Sequence, residues 1–204
     1  MPRLHLHITN GDVDANGKVT GVRCGDEAAK APIVIGDPSY FPKEALKVTG
    51  KVIRTVCVMN NPVPNTENAT SAQIIIPSMH LKGREHDVFV SVLSKDMEVC
   101  PEGFYLAIVS TEVETSNPQQ EVQVGINLLG NVVRRFDGIT ETYAPLDGGE
   151  ETGQFITKSY DATSHFEYES REILDLYEKI VGEPVNMDIS VEEMMQKQKE
   201  AMGM

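Results

Sequence analysis

Lys51-Val52-Ile53-Arg54-Thr55-Val56-Cys57-Val58-Met59 is the stretch that decides how this chain is built. Val, Ile and Thr fill it, and branched side chains suit a pleated, half-buried surface. It reads as a strand. Downstream, Asn60 to Ser71 is dense in Asn, Pro, Thr and Ser, the chemistry of a loop. Three further strand candidates follow: Ala72–Ile76, Asp87–Leu93 and Phe104–Val113. Polar turns such as Leu81-Lys82-Gly83 and Cys100-Pro101-Glu102-Gly103 separate them, so an antiparallel meander is expected. Upstream, Pro42 to Thr49 reads as a short helix with Pro42 at its first position. Pro32-Ile33-Val34-Ile35-Gly36 reads as a short buried strand, ended by the turn residues Asp37-Pro38-Ser39. Residues 17–23 alternate behind Asn16-Gly17, a strong hairpin signal.

Past the meander the period changes. Val122, Ile126, Leu129, Val133 and Phe136 recur at helical spacing and predict an amphipathic helix from Pro118 to Asp137. Asp147-Gly148-Gly149-Glu150-Glu151 is an acidic loop, and Gln154 to Tyr160 alternates as a strand. A second amphipathic helix is expected from Glu169 to Val181, with Ile173, Leu176, Tyr177 and Ile180 inward and Gly182 as its stop. Residues 183–204 form a tail, loosely helical from Ser190 onward. The fold class is therefore α+β.

Composition bounds the function. The 204 residues suffice for one large domain or two small ones, with 40% hydrophobic and 24% charged residues. The 31 acidic and 18 basic residues leave a net charge of −13. A polyanion such as nucleic acid needs a basic footprint, so that partner class is excluded. A basic partner fits better. No apolar run approaches the length of a membrane span, and the first residues lack the apolar stretch of a secretory signal. The three cysteines, Cys24, Cys57 and Cys100, are odd in number and far apart, as expected of reduced thiols in the cytoplasm.

Several small motifs invite chemistry and do not sustain it. His5-x-His7 puts two imidazoles on one strand face, a metal-binding spacing, but no Cys or third His is near. Asp161, Ser164 and His165 resemble triad members, yet no Gly-x-Ser-x-Gly elbow presents the serine. Asn68-Ala69-Thr70 is a formal glycosylation sequon that a cytoplasmic protein would not use. Neither a Gly-x-Gly-x-x-Gly nor a phosphate-binding Gly-x-x-x-x-Gly-Lys-Ser/Thr occurs. No metal, cofactor or catalytic residue is expected, and the chain reads as a binding module rather than an enzyme.

One ordered set of blocks goes further. It begins with Asn16-Gly17-Lys18-Val19-Thr20-Gly21-Val22, Gly36-Asp37-Pro38-Ser39-Tyr40-Phe41-Pro42 and Gly50-Lys51-Val52-Ile53-Arg54. It continues with Asn60-Asn61-Pro62-Val63-Pro64-Asn65-Thr66, Gln73-Ile74-Ile75-Ile76-Pro77 and residues 105–111 with Val113-Glu114-Thr115. It ends with Ser159-Tyr160-Asp161-Ala162-Thr163-Ser164-His165-Phe166-Glu167. The set resembles the C-terminal half of the Rab GDP dissociation inhibitors, in family order from residue 16 to 182, while residues 1–15 carry none of it. The resemblance implies a partner and a mechanism: such proteins hold GDP-bound, prenylated Rab GTPases, slow GDP release and return them from membranes to the cytoplasm in vesicular transport. It implies a flavin-monooxygenase-like, FAD/NAD-binding-like large domain, here without its N-terminal dinucleotide-fold segment and without the helical prenyl-binding domain, and contact with membranes only in passing. It also implies site residues. Arg54, Lys51, Lys47 and Glu44 match the Rab-binding platform; Asp37, Ser39 and Tyr40 match the mobile effector loop. On that reading Arg54→Ala weakens binding with little change in melting. A Rab escort protein and a fragment of a flavin-dependent oxidoreductase are the alternatives.

Overall fold

The computed structural model describes residues 10–163 and 166–188, with residues 190, 195 and 199. The chain divides into two compact units, residues 1–166 and 167–204. In the first unit the strands are β1 (Asn10–Val13), β2 (Val19–Cys24), β3 (Glu27–Lys30), β4 (Val34–Gly36), β5 (Leu46–Met59), β6 (Ser71–Ile76), β7 (Val88–Ser94), β8 (Tyr105–Glu112), β9 (Val132–Pro145) and β10 (Gln154–Ile156). Among the described residues they make three sheets, ordered β1-β2-β3, β10-β4 and β6-β7-β8-β5-β9.

The opening strand reading explains the largest sheet. β5 is central, antiparallel to β8 on one side and to β9 on the other. A central strand is covered on both edges, so its apolar content runs high. Ile53, Cys57 and Met59 point to one face and join Val88, Val90 and Val92 of β7 with Ala107 and Val109 of β8 in the main core. Burying each such side chain stabilises by roughly 1.5–3 kcal/mol. Val122, Ile126 and Leu129 close this core from above. They are carried by the short helices α1 (Pro118–Glu121) and α2 (Gln123–Ile126) and the turn after them. The opposite face is more open. Val52, Phe89 and Ala162 form a small buried cluster there, while the same face of the sheet leaves Phe136 60% and Ile75 41% exposed.

Thr55 is the polar residue in the buried run of β5, and its hydroxyl donates to Asp137 Oδ1 at 2.6 Å. Burial alone would push the Asp137 carboxyl up. The bonds from Thr55 and Arg135 outweigh it and hold the carboxyl below its usual range. Burial pushes the Cys57 thiol up, so it stays a neutral core residue.

A second polar knot joins the β7 and β8 ends to α1. Arg84 pairs with Glu121 and donates to Thr111 Oγ1 at 2.7 Å and to the Glu112 carbonyl at 2.9 Å. Glu121 also takes the Thr115 amide at 2.7 Å and its hydroxyl at 2.6 Å. Burial raises the Glu121 carboxyl, but the Thr115 and Arg84 bonds and the Glu114 and Thr115 amides lower it by more. The residue is buried, so this carboxylate is held by partners rather than by water.

The hairpin turn forms where expected. Gly17 takes φ +80, a conformation that costs glycine little, and the Asp14 carboxylate caps the Asn16 and Lys18 amides at 2.8 and 3.0 Å. The β6-β7-β8 meander also forms as expected.

Four expectations change. Residues 42–49 are not a helix: a 3-10 turn at Lys43–Ala45 leads straight into β5, which pairs with β9 from Leu46. The helix from Pro118 to Asp137 stops early. Gly130 adopts φ +78, and Val132–Pro145 becomes β9, so Val133 and Phe136 lie on a strand and are 47% and 60% exposed. The strand at 154–160 is cut to Gln154–Ile156, parallel to β4. In the second unit, α3 (Phe166–Val181) ends at Gly182, whose amide donates to the Glu178 carbonyl at 2.7 Å. None of its residues is buried: Ile173 is 63% exposed and Tyr177 40%, rather than inward. No described helix is long and apolar enough to cross a membrane.

Candidate functional site

A cavity of about 580 Å³ lies between the turn after β4, the start of β5, the last third of β9 and the segment after β10. That volume is within the range of small-molecule and peptide clefts. Each wall has a local cause. Asp37 opens a 3-10 turn at Pro38–Tyr40 by taking the Ser39 amide on its carboxylate at 2.7 Å. The segment after β10 is fastened to β9: the Ser159 amide donates to the Tyr143 carbonyl at 2.9 Å, and the Tyr143 amide to Ser159 Oγ at 2.8 Å. Arg54 projects from β5, half-buried, and its Nη2 donates to the backbone carbonyls of Tyr160 and Asp161.

The charges in this cavity are mixed. Lys43, Arg54 and Lys158 line it with Asp37 and Glu141. The Tyr143 hydroxyl donates to Glu141 Oε2 at 2.7 Å. That bond, aided by Lys51 and Lys43, holds the Glu141 carboxyl below its usual range and pushes the Tyr143 phenol up. The arrangement offers hydrogen bonds, apolar wall and charges of both signs.

The cavity brings together Asp37, Ser39 and Arg54 of the seven residues read from the sequence. Lys51 stands outside it and reaches Glu141 of its wall at 3.6 Å. Tyr40 is 46% exposed and lines a separate apolar notch of about 100 Å³ with Val22, Val34, Ile35 and Phe41. Glu44, in the turn before β5, and Lys47, at the start of β5, are exposed and line neither space. Three partners of the site were not legible beforehand. The Tyr160 and Asp161 carbonyls that hold Arg54 are backbone atoms, invisible to a motif, and Glu141 lay inside a span read as neither site nor strand.

Of the smaller motifs, His5, His7, Ser164 and His165 lie outside the described residues. Among the described residues no cluster of His, Cys, Asp and Glu could hold a metal ion. Asp161 takes the Thr163 amide on its carboxylate at 2.7 Å. Asn68 sits in the loop at φ +61.

The comparisons with known proteins agree in direction. The family model described as GDP dissociation inhibitor matches residues 4–192. The "Probable secretory pathway GDP dissociation inhibitor 1" of Schizosaccharomyces pombe is 46% identical over 86% of this chain, which spans 39% of that relative. The "Rab GDP-dissociation inhibitor" of Saccharomyces cerevisiae is 43% identical over 83% of this chain, which spans 37% of it. Among solved structures, the Rab GDI of Plasmodium falciparum superposes with a TM-score of 0.81 at 37% identity, over 87% of this chain and 41% of that one.

Proposed function

The chain belongs to the GDP dissociation inhibitor family, and from that premise we propose that it supplies part of a Rab GDP-dissociation inhibitor. It is a regulator rather than an enzyme. Its partners are GDP-bound, prenylated Rab GTPases, met in the cytoplasm and, in passing, at membranes during vesicular transport. The carrying observation is the 43–46% identity to relatives with inhibitor names over more than four fifths of this chain. Those names leave the escort-protein and oxidoreductase readings without support. Because the chain spans about two fifths of those relatives, the full activity belongs to a longer assembly.

Two structural points support the finer reading. The parallel β4–β10 pair fits a piece of a FAD/NAD-binding-like sheet. The exposed stretch Glu44, Lys47 and Lys51, beside the Asp37–Tyr40 turn, offers a charged, accessible approach for a GTPase surface. Arg54 serves this surface from below, since its guanidinium holds the Tyr160–Asp161 backbone that closes the cavity.

An inhibitor of this kind works by preferring one nucleotide state, and its effect is limited by the difference in affinity. The test is a calorimetric titration of this chain with prenylated Rab loaded with GDP or with a GTP analogue. Tighter binding of the GDP form by tenfold or more, about 1.4 kcal/mol, is expected. Equal binding of both forms would sink the proposal.

A further inference from the structure

Residues 157–163 carry neither helix nor strand, yet the end of this strap is seated on the open face of the largest sheet. Three neighbouring side chains receive it. Arg54 and Ser110 stand opposite each other across β5 and β8, as do Val52 and Glu112. Arg54 Nη2 donates to the Tyr160 and Asp161 carbonyls. Ser110 Oγ donates to the Ala162 carbonyl at 2.7 Å, and the Glu112 carboxylate faces the Ala162 amide. Three consecutive residues are thus held by their main chain. Their side chains add one methyl: Ala162, 3% exposed, fills the gap between Val52 and Phe89. Tyr160 is 73% exposed, and Asp161 turns its carboxylate to the Thr163 amide within the strap.

Main-chain bonds supply affinity and a shaped pocket supplies selection wherever extended peptides are taken by a protein surface. Any segment with a small residue in the place of Ala162 satisfies the same three side chains. The strap also divides two spaces. Residues 157–160 wall the cavity of about 580 Å³, and residues 161–163 wall another of about 390 Å³. The second is acidic, with Glu85, Asp87 and Glu112 beside His86 and Phe89. Burial pushes the Glu112 carboxyl up, a penalty that a neighbouring cation relieves.

We infer that the strap stands in for a ligand, and that β5 and β8 carry a peptide groove on their open face which residues 160–163 close in cis. The groove accepts an extended segment of a partner polypeptide. That segment has a small residue over Val52 and Phe89, followed by lysine or arginine directed into the acidic space. Lifting the strap breaks its few hydrogen bonds and uncovers one methyl, while the β5–β8 pairing stays intact. The inference goes beyond the family reading and needs no GTPase.

The probe is a labelled synthetic peptide with the sequence of residues 158–163 followed by two lysines, titrated with this chain by fluorescence anisotropy. A control peptide ends in two glutamates and is expected to bind more weakly. In the unaltered chain the strap competes at the high effective concentration of a tethered segment. Ala162→Phe overfills the gap between two buried neighbours and lifts the strap. The lysine peptide is expected to bind that variant about tenfold tighter than it binds the unaltered chain. Adding Ser110→Ala is expected to weaken both peptides, and adding Glu112→Gln the lysine peptide alone. No binding to an Ala162→Phe chain that still melts cooperatively would overturn the inference, as would equal binding of the two peptides. Should Ala162→Phe fail to fold, amide exchange in the unaltered chain decides. The Ala162 amide is expected to exchange through a local opening that the β5 and β8 amides do not share. Exchange of Ala162 only with unfolding of the whole sheet would overturn the groove.

Discussion

At the scale of single residues, Arg54 shows how position changes a role. Met in the sequence, Arg54 takes a partner from outside only through the family resemblance of its block, Gly50-Lys51-Val52-Ile53-Arg54. In the folded chain its guanidinium is half-buried and donates hydrogen bonds to the Tyr160 and Asp161 carbonyls. A charged donor bonded to backbone contributes about 1.5–3 kcal/mol, and removing it leaves acceptors without partners. Arg54→Ala is therefore expected to lower stability by about 1–3 kcal/mol, or several degrees in a chain of this size. Differential scanning fluorimetry of the variant checks this. An unchanged melting temperature with lost Rab binding would make Arg54 a contact residue instead. The residue-level reading was sound where local chemistry decides. Asp37 and Gly17 make turns because their own side chain, or lack of one, suits a turn. It was blind to Arg54's partners because backbone carbonyls about a hundred positions away leave no trace in composition.

The elements tell a similar story over longer stretches. β6, β7, β8 and β5 from Lys51 onward were legible because β-branched residues and polar turns agree locally with the sheet. The segment 118–137 was not. Its apolar spacing is truly helical as far as Leu129, and Val122, Ile126 and Leu129 do cover the core. Beyond Gly130 the spacing of Val133 and Phe136 is coincidental, and pairing with β5 along Val132–Pro145 decides the outcome. That pairing joins residues some eighty positions apart and overrides local preference. The short helices also depend on one small residue. A Cβ built on Gly125 would stand 2.7 Å from Val109 Cγ1 and 2.9 Å from Val90 Cγ2. Both valines are fully buried and stiff at χ1, so neither can turn aside cheaply. Gly125→Ala is expected to destabilise by about 1–3 kcal/mol through overpacking, against the small gain that alanine brings to a helix. Urea unfolding of the variant measures it; a stabilised protein would mean that α2 can lift from the sheet without penalty.

For the whole molecule the decisive quantity is charge. The 31 acidic residues outnumber the 18 basic ones and leave a net charge of −13, which sets a negative field around the chain. Such a field reaches about 10 Å at ~0.1 M salt and shrinks as salt is added. It gathers a basic partner before contact and acts on the rate of encounter more than on the strength of the final complex. A Rab with a basic C-terminal tail is thus expected to associate about tenfold faster at ~0.01 M than at ~0.5 M salt, with a dissociation rate that changes far less. Neutralising the tail's lysines and arginines is expected to flatten that dependence. Stopped-flow association across the salt series separates the cases. A rate indifferent to salt, or one that rises with it, would show that the carboxylates take no part in the encounter and that apolar contact alone brings the partners together.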